Sequence, residues 1–220
     1  MIGIEAAVPQ DNQPIGGDNS HSATAFGEVY KLTDYITPDN LDIQNKYDQL
    51  TSGLSSIEDK IITCLKYTAN FPYVRFVKVV SNVAGRIRAR SDVWLSPAQA
   101  MHAPKLNCAN RSFLLASLLR QELPPEQVWT VFGNLNNDHQ DGHAWLMVKL
   151  HRDYVLETTN PSVKAKLIPL EATPIYEDVI YFNDIGVKAI PDRAVREPFS
   201  ACFNCIPWLG DYIDRELCNV

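Results

Sequence analysis

Several features that mark membrane, exported or nucleic-acid-binding proteins are missing from this sequence. No stretch approaches the roughly 20 consecutive apolar residues that cross a bilayer, and residues 1–9 contain neither a cationic start nor a sustained apolar run. The net charge is −6, and no long run of lysine or arginine occurs. We therefore expect a cytoplasmic protein that has no membrane partner and no nucleic-acid partner.

The densest basic stretch is short. Residues 86–90 read Arg-Ile-Arg-Ala-Arg, so apolar residues interrupt the charges. Because charged runs usually face water, we interpret this stretch as a solvated turn or the end of a helix.

The number and spacing of the cysteines give little support for a disulfide framework or a metal site. The chain has five cysteines, and an odd number in a chain of 220 residues argues against a disulfide framework. Cys202 and Cys205 have the spacing of half a zinc site and Cys218 could add a third ligand, but no matching second pair occurs. We interpret Cys202 and Cys205 as core or loop thiols, and we expect neither a metal ion nor a cofactor.

The composition predicts one folded domain with extensions, since 45% of the residues are hydrophobic and 21% are charged. Residues 1–30 are rich in small and polar residues and are predicted to form a flexible or extended arm. Residues 31–198 are predicted to form the domain. Residues 199–220 carry apolar side chains that we expect to dock on the domain or on a protein partner. The arm is the other candidate for contact with a partner.

The hydrophobic pattern predicts an α+β fold. Apolar residues between 57 and 68 form one helical stripe, and this helix should stop before Pro72. A strongly apolar helix follows at 107–120, and a turn with a short helix is predicted at 96–101. Strand patterns occupy 128–134, 143–150 and 154–159, with a hairpin turn at 151–153 and further strands within 176–190. Helices followed by an antiparallel sheet define the α+β class.

Cys108 begins the most apolar of these predicted helices. The amino end of a helix carries partial positive charge and unpaired backbone N–H groups, which favour the reactive thiolate. The same N–H groups can receive an oxyanion when a carbonyl is attacked. Position alone is weak evidence, because a lone cysteine is more often a small buried residue.

His143 and Glu157 add the other two groups that an activated thiol requires. They lie 14 residues apart on two strands of the predicted hairpin. Because 14 is even and the turn is short, both side chains should lie on one face as near neighbours across the ladder. The carboxylate would then orient the imidazole and stabilise its charged form, and the imidazole would activate the thiol.

Three segments together resemble transglutaminase-like proteins. Residues 106–120 (LNCANRSFLLASLLR) resemble the nucleophile helix of that family, 142–146 (GHAWL) its histidine strand, and 154–159 (YVLETT) the strand with its third catalytic residue. The resemblance implies a papain-like fold, in which the nucleophile helix packs on an antiparallel sheet. It also implies acyl chemistry at amides, with Cys108 as nucleophile, His143 as base and Glu157 as the third residue. Two departures are Glu157, where the family usually has aspartate, and Asn107, where bacterial relatives commonly have an acidic residue.

The second donor to an oxyanion is open among several residues that carry a side-chain N–H. Trp94 is more often a packed aromatic, and His102 more often lies at the surface. Asn107 could equally cap the helix. Asn110 and Arg111 fall on the first turn, where they either line the cleft or face solvent.

The leading expectation is a cysteine peptidase or amidase that uses Cys108, His143 and Glu157 on a peptide or protein amide. Water as the second substrate gives hydrolysis. An amine as the second substrate gives a true transglutaminase that cross-links glutamine to amines. The rival from another class is a catalytically silent module that keeps the fold as a structural or binding part of a larger assembly.

Overall fold

The structure is a computed structural model that describes residues 22–25, 28–75, 78–83, 86–91, 94–135, 138–159, 166–172 and 176–189. All four described helices precede the six strands of the main sheet along the chain, which is the order of an α+β fold. The helices are α1 (Leu41–Thr51), α2 (Ile57–Ala69), α3 (Pro97–Ala100) and α4 (Cys108–Leu119). The strands are β1 (Ser22–Ala25), β2 (Glu28–Lys31), β3 (Lys78–Val83), β4 (Arg86–Ser91), β5 (Val128–Leu135), β6 (Asp138–Lys149), β7 (Asp153–Leu156), β8 (Ile168–Pro169), β9 (Tyr176–Phe182) and β10 (Val187–Ala189).

Helix α4 is the central helix, and every one of its residues is buried. Asn107 precedes it in an extended conformation, and its side chain accepts a hydrogen bond of 2.9 Å from the backbone N–H of Asn110. This cap fixes the first turn, so the helix begins at Cys108. The helix predicted at 107–120 is therefore present, one residue shorter at each end. Helices α1, α2 and α3 pack against it, as do strands β5 and β6.

Six antiparallel strands form the main sheet, in the order β10-β9-β5-β6-β7-β8. Alternate residues of each strand face opposite sides, as the pleat requires. One face of β6 contributes Ala144, Leu146 and Val148 to the large core that includes α4, whereas Trp145 joins a smaller cluster on the other side. The predicted antiparallel sheet packed on the cysteine helix is confirmed.

A short connection holds the beginning of α4 against the segment that follows α2. The amide of Val74 donates to the carbonyl of Leu106 (3.1 Å), and the amide of Leu106 donates to the carbonyl of Pro72 (3.0 Å). Helix α2 ends at Ala69, as the proline at 72 predicts. Pro72 and Val74, on either side of Tyr73, are therefore both hydrogen-bonded to Leu106, which lies two residues before Cys108.

The interpretation of residues 86–90 as a turn or helix end is wrong. These residues form strand β4, which pairs in antiparallel register with β3. The alternation of arginine with isoleucine and alanine is a strand pattern of period two, and this period, rather than the density of charge, matches the observed structure.

Parts of the predicted arm and all of the predicted tail lie outside the described residues. This applies to residues 1–21 and 190–220, and therefore to Cys202, Cys205 and Cys218. Residues 22–25 and 28–31 pair as the antiparallel strands β1 and β2. Within the described ranges, no helix is long and apolar enough to cross a membrane, and no three His, Cys, Asp or Glu side chains are grouped so that they could hold a metal ion.

Candidate active site

Cys108 is the first residue of α4, and only 1% of it is exposed. Its thiol raises the pKa of the His143 imidazole, so the two groups lie close enough to interact. The backbone N–H of Cys108 lies in the first turn, where amide groups have no acceptor within the helix. Sulfur therefore lies beside both a ring nitrogen and the positive end of the helix.

His143 lies on β6, and its Nε2 is 2.8 Å from Oε2 of Glu157. Because Nε2 faces the carboxylate, Nδ1 is the ring nitrogen left for the sulfur of Cys108. The ring also stacks on Trp145, with 5.9 Å between the ring centroids. These three contacts hold the imidazole in one orientation, with 12% of its side chain exposed.

The ladder between β6 and β7 explains how His143 and Glu157 meet. Leu146 is paired with Leu156, and Lys149 with Asp153. Extended beyond the end of β7, this register sets His143 opposite Thr159, and Glu157 becomes its diagonal neighbour on the same face. The predicted parity is therefore right, but Glu157 lies just after the strand and is displaced by two residues from direct opposition.

Four donors converge on the buried carboxylate of Glu157, which is 0% exposed. Its Oε1 accepts from the backbone N–H of Thr159 (2.6 Å) and from the hydroxyl of Thr159 (2.7 Å). Its Oε2 accepts from the hydroxyl of Tyr176 (3.0 Å) and faces Nε2 of His143. The extra methylene of glutamate relative to aspartate is thus accommodated by a carboxylate fixed on both oxygens.

The electrostatics of this pair favour the charged forms of both groups. Burial lowers the pKa of His143, but the interactions with Cys108 and Glu157 have the larger, opposite effect and raise that pKa to about 10. Burial raises the pKa of Glu157, but His143 and the hydrogen bonds from Thr159 lower it to about 2. An imidazolium next to sulfur stabilises a thiolate, which is the nucleophilic form of cysteine.

The candidates for the second oxyanion donor occupy different places. Trp94 packs against the rings of Tyr35, Phe113 and Phe132, at centroid distances of 5.4, 5.6 and 5.5 Å. His102 is exposed in the turn after α3. These placements agree with the packed and surface alternatives for the two residues.

The two asparagines at the start of α4 both hold local structure. Asn107 caps the helix, as described above, and it is completely buried. The side-chain oxygen of Asn110 accepts a hydrogen bond of 2.7 Å from the amide of Leu95, so it ties the segment before α3 to α4. Of the two alternatives for Asn107, the structure shows the helix cap.

Three residues around the site have roles that sequence reasoning missed or left open. Thr159 and Tyr176 bind Glu157. Arg111 is buried rather than solvent-facing, with 3% of the residue exposed. The two-residue spacing between Glu157 and Thr159 could have indicated one of these contacts, since residues i and i+2 of an extended chain share a face. No local pattern indicates Tyr176 or the burial of Arg111.

No family model matches the sequence, and no curated protein matches it either. Solved structures do resemble this one. The calcium-bound form of LapG from Legionella pneumophila has 15% identical residues and a TM-score of 0.50, over 80% of this chain and 87% of LapG. A second LapG structure has 14% identity and the same TM-score of 0.50, over 72% of this chain and 83% of LapG. At such identities the likeness shows the fold, which is transglutaminase-like with a papain-like α+β core.

Proposed function

We propose that this protein is a cysteine-dependent amide acyl-transfer enzyme that acts as a peptidase or amidase. Cys108 is the nucleophile, His143 the acid and base, and Glu157 the residue that orients the imidazole. The observation that carries the proposal is the contact of His143 Nε2 with the fully buried carboxylate of Glu157 at 2.8 Å, with the thiol of Cys108 close enough to the same ring to raise its pKa. A thiol, a base and an orienting acid in contact are the set that nucleophilic catalysis requires.

The acylation step follows from this arrangement. The thiolate of Cys108 attacks the carbonyl carbon of an amide, and the C–S bond forms as the carbonyl π electrons move to oxygen. The amide N–H of Cys108, at the start of α4, donates to that oxyanion. The imidazolium of His143 then gives its proton to the amide nitrogen, the C–N bond breaks, and an amine leaves a thioester behind.

The second step releases the acyl group. Neutral His143 takes a proton from water as the water oxygen attacks the thioester carbon. The C–S bond breaks, and the thiolate–imidazolium pair returns together with a carboxylic acid. Glu157 keeps the ring in place throughout and stabilises its positive form, which exists before acylation and after deacylation.

A silent module with the same fold is the rival, and the burial of Cys108 is the observation in its favour. Only 1% of Cys108 is exposed, so a substrate reaches sulfur only if neighbouring side chains give way. Under this rival, Cys108 packs like Cys64, which is 0% exposed in the core. Burial and apolar surroundings make such a thiol inert.

The two candidates differ in the reactivity of Cys108. We would measure the rate at which a small alkylating agent modifies Cys108 at pH 5 to 10, using mass analysis of the Cys108 peptide in the native protein and in His143→Ala. The enzyme predicts a midpoint well below the value of about 8.5 of an ordinary thiol, and an ordinary or higher midpoint in the variant. Cys64 is the internal control, because burial raises its pKa to about 12. Equal profiles in both proteins, with an ordinary or raised midpoint or with no labelling of Cys108, would support the silent module.

A peptide library identifies the reaction. Peptides incubated with the protein, with and without an added primary amine, are separated and weighed. Hydrolysis predicts fragments that end in new carboxyl groups, whereas transglutamination predicts glutamine peptides that carry the amine in place of ammonia. Cys108→Ala should abolish either product. Products that persist in Cys108→Ala would contradict the proposed nucleophile.

A further inference from the structure

Arg111 is a buried cation next to the candidate active site. It lies in the first turn of α4, three residues after Cys108, and 3% of it is exposed. Its Nη1 donates to the backbone carbonyl of Thr158, and its Nη2 donates to the backbone carbonyl of Phe71. The guanidinium also lies over the ring of Tyr73, 5.3 Å from the centroid. Arg111 therefore connects the nucleophile helix, the segment before β3 and the residue that follows Glu157.

These contacts do not neutralise the charge of Arg111. Both hydrogen-bond acceptors are uncharged carbonyls, and Nε has no hydrogen-bond partner among the described atoms. A buried cation is costly unless negative charge lies close by. A packing role alone would be filled more cheaply by an uncharged side chain.

Two groups of the candidate site, Cys108 and Glu157, lie close enough to Arg111 for their negative charges to act on it. Residues three apart on a helix are neighbours, with about 5–6 Å between their Cβ atoms, so Arg111 lies beside Cys108. The carbonyl that binds Nη1 belongs to the residue after Glu157. Burial lowers the pKa of Arg111, whereas the charges of Tyr73, Cys108 and Glu157 act to raise it. The titratable groups that face Arg111 or its neighbours are Tyr73, Cys108, His143, Glu157 and Tyr176.

Among the described residues of the site, the charges around the thiol balance when Arg111 is counted. A thiolate at Cys108 and a carboxylate at Glu157 give two negative charges, and the imidazolium of His143 gives one positive charge. The remaining charge of −1 lies in a nearly dry site. Arg111 supplies the second positive charge, and the sum becomes zero.

We propose that Arg111 is a positioning residue that neutralises the candidate site and thereby stabilises Cys108 as a thiolate and Glu157 as a carboxylate. The inference rests on the proposed function, because it assumes that Cys108 reacts as a thiolate paired with His143. The two carbonyl hydrogen bonds serve to hold the guanidinium between the helix and the chain after Glu157.

The effect of removing this charge is a shift in the pH profile of Cys108. Two unit charges separated by about 7 Å at an effective dielectric constant of about 20 interact strongly enough to move a titration by about one to two pH units. We therefore expect Arg111→Gln and Arg111→Met to move the low-pH limb of Cys108 alkylation upward by about that amount. Arg111→Lys keeps the charge and should leave the limb close to its native position.

Arg120 offers a matched control on the same helix. It follows the last residue of α4, nine residues and about 13 Å along the axis from Arg111, and it binds Asp184 through Nε at 2.6 Å. Arg120→Met should lower the thermal unfolding temperature without moving the limb. Unfolding temperatures are measured for all variants, so that loss of stability and a shifted limb are scored separately.

Each outcome of this comparison decides the point. A low-pH limb that shifts in Arg111→Gln but not in Arg111→Lys or Arg120→Met supports the proposal. If Arg111→Met folds, it repeats the test of Arg111→Gln and should show the same shift. An unshifted limb in folded Arg111→Gln overturns it, as does failure of both Arg111→Lys and Arg111→Gln to fold, since Arg111 would then serve structure alone. An ordinary thiol profile in the native protein would instead overturn the proposed function.

Discussion

Replacement of Glu157 by glutamine tests the hydrogen-bond network most severely. Four described groups bind this carboxylate and each presents a hydrogen atom: the backbone and hydroxyl of Thr159 on Oε1, and Tyr176 and His143 on Oε2. An amide has only one oxygen. In either orientation its NH₂ group faces a backbone N–H or an imidazolium N–H, and neither of those can accept a hydrogen bond.

The cost of Glu157→Gln follows from burial. Breaking a buried ion pair by removing one partner costs about 3–5 kcal/mol, because the other charge is left unpaired. Glu157 is 0% exposed and the side chain of His143 is 12% exposed, so solvent screens the pair very little. We expect the free energy of unfolding at pH 7 to fall by about that amount. The pKa of His143 should also fall, because only Cys108 would then oppose the effect of burial.

Urea denaturation at pH 7 measures this loss, and Glu122→Gln is the matched control. Glu122 also accepts from a tyrosine hydroxyl and pairs with Lys60, but 37% of its side chain is exposed. Exposed pairs contribute about 0–1 kcal/mol. If Glu157→Gln costs no more than Glu122→Gln, the buried network has been misjudged and the reasoning is refuted.

Three further predictions concern the same network. Tyr176→Phe removes one hydrogen bond to a buried charge and should lower the free energy of unfolding by about 1.5–3 kcal/mol in urea denaturation; an unchanged value would contradict that contact. Asn107→Ala removes the cap of α4 and should cost about 0.5–2 kcal/mol, with slower alkylation of Cys108; an unaltered alkylation rate would mean that the cap does not position the thiol. The pKa of Glu157 is lowered from 4.5 to about 2, and that of His143 is raised from 6.5 to about 10. The contribution of Glu157 is therefore complete above pH 4.5 and lost towards 2, and that of His143 is complete below pH 6.5 and lost towards 10; denaturation across pH should show both losses. His143→Ala should remove the loss towards pH 10 and reduce the loss towards pH 2, because the hydrogen bonds from Thr159 remain.

The parts of the fold that local patterns encode were predictable. Helix α4 follows from its apolar residues and the cap at Asn107, and the approach of His143 to Glu157 follows from strand parity. The register was not predictable, because the turn sets it: the amide of Leu150 donates to the carbonyl of Arg152, and Lys149 pairs with Asp153. This register displaces Glu157 by two residues from the position opposite His143. Because two is even, both side chains still lie on the same face of the sheet.

Contacts between segments that are distant along the chain could not be predicted from the sequence. Tyr176 donates to Glu157 although β5 and β6 lie between β9 and β7 in the sheet. Arg111 is buried because carbonyls of Phe71 and Thr158, distant along the chain, converge on it. The sequence around a polar residue on a helix does not indicate whether distant carbonyl groups will bind it. Exposure to solvent was therefore the simplest expectation for Arg111.

The protonation state of His143 tests the central claim most directly. Nitrogen NMR of ring-labelled histidine, with the His143 resonances assigned by His143→Ala, reports whether one or both ring nitrogens carry a proton. A buried ion pair with Glu157 and the Cys108 thiolate predicts an imidazolium with both nitrogens protonated throughout pH 6 to 9, because its pKa is raised to about 10. A ring that loses a proton near its ordinary value of 6.5 would contradict the account.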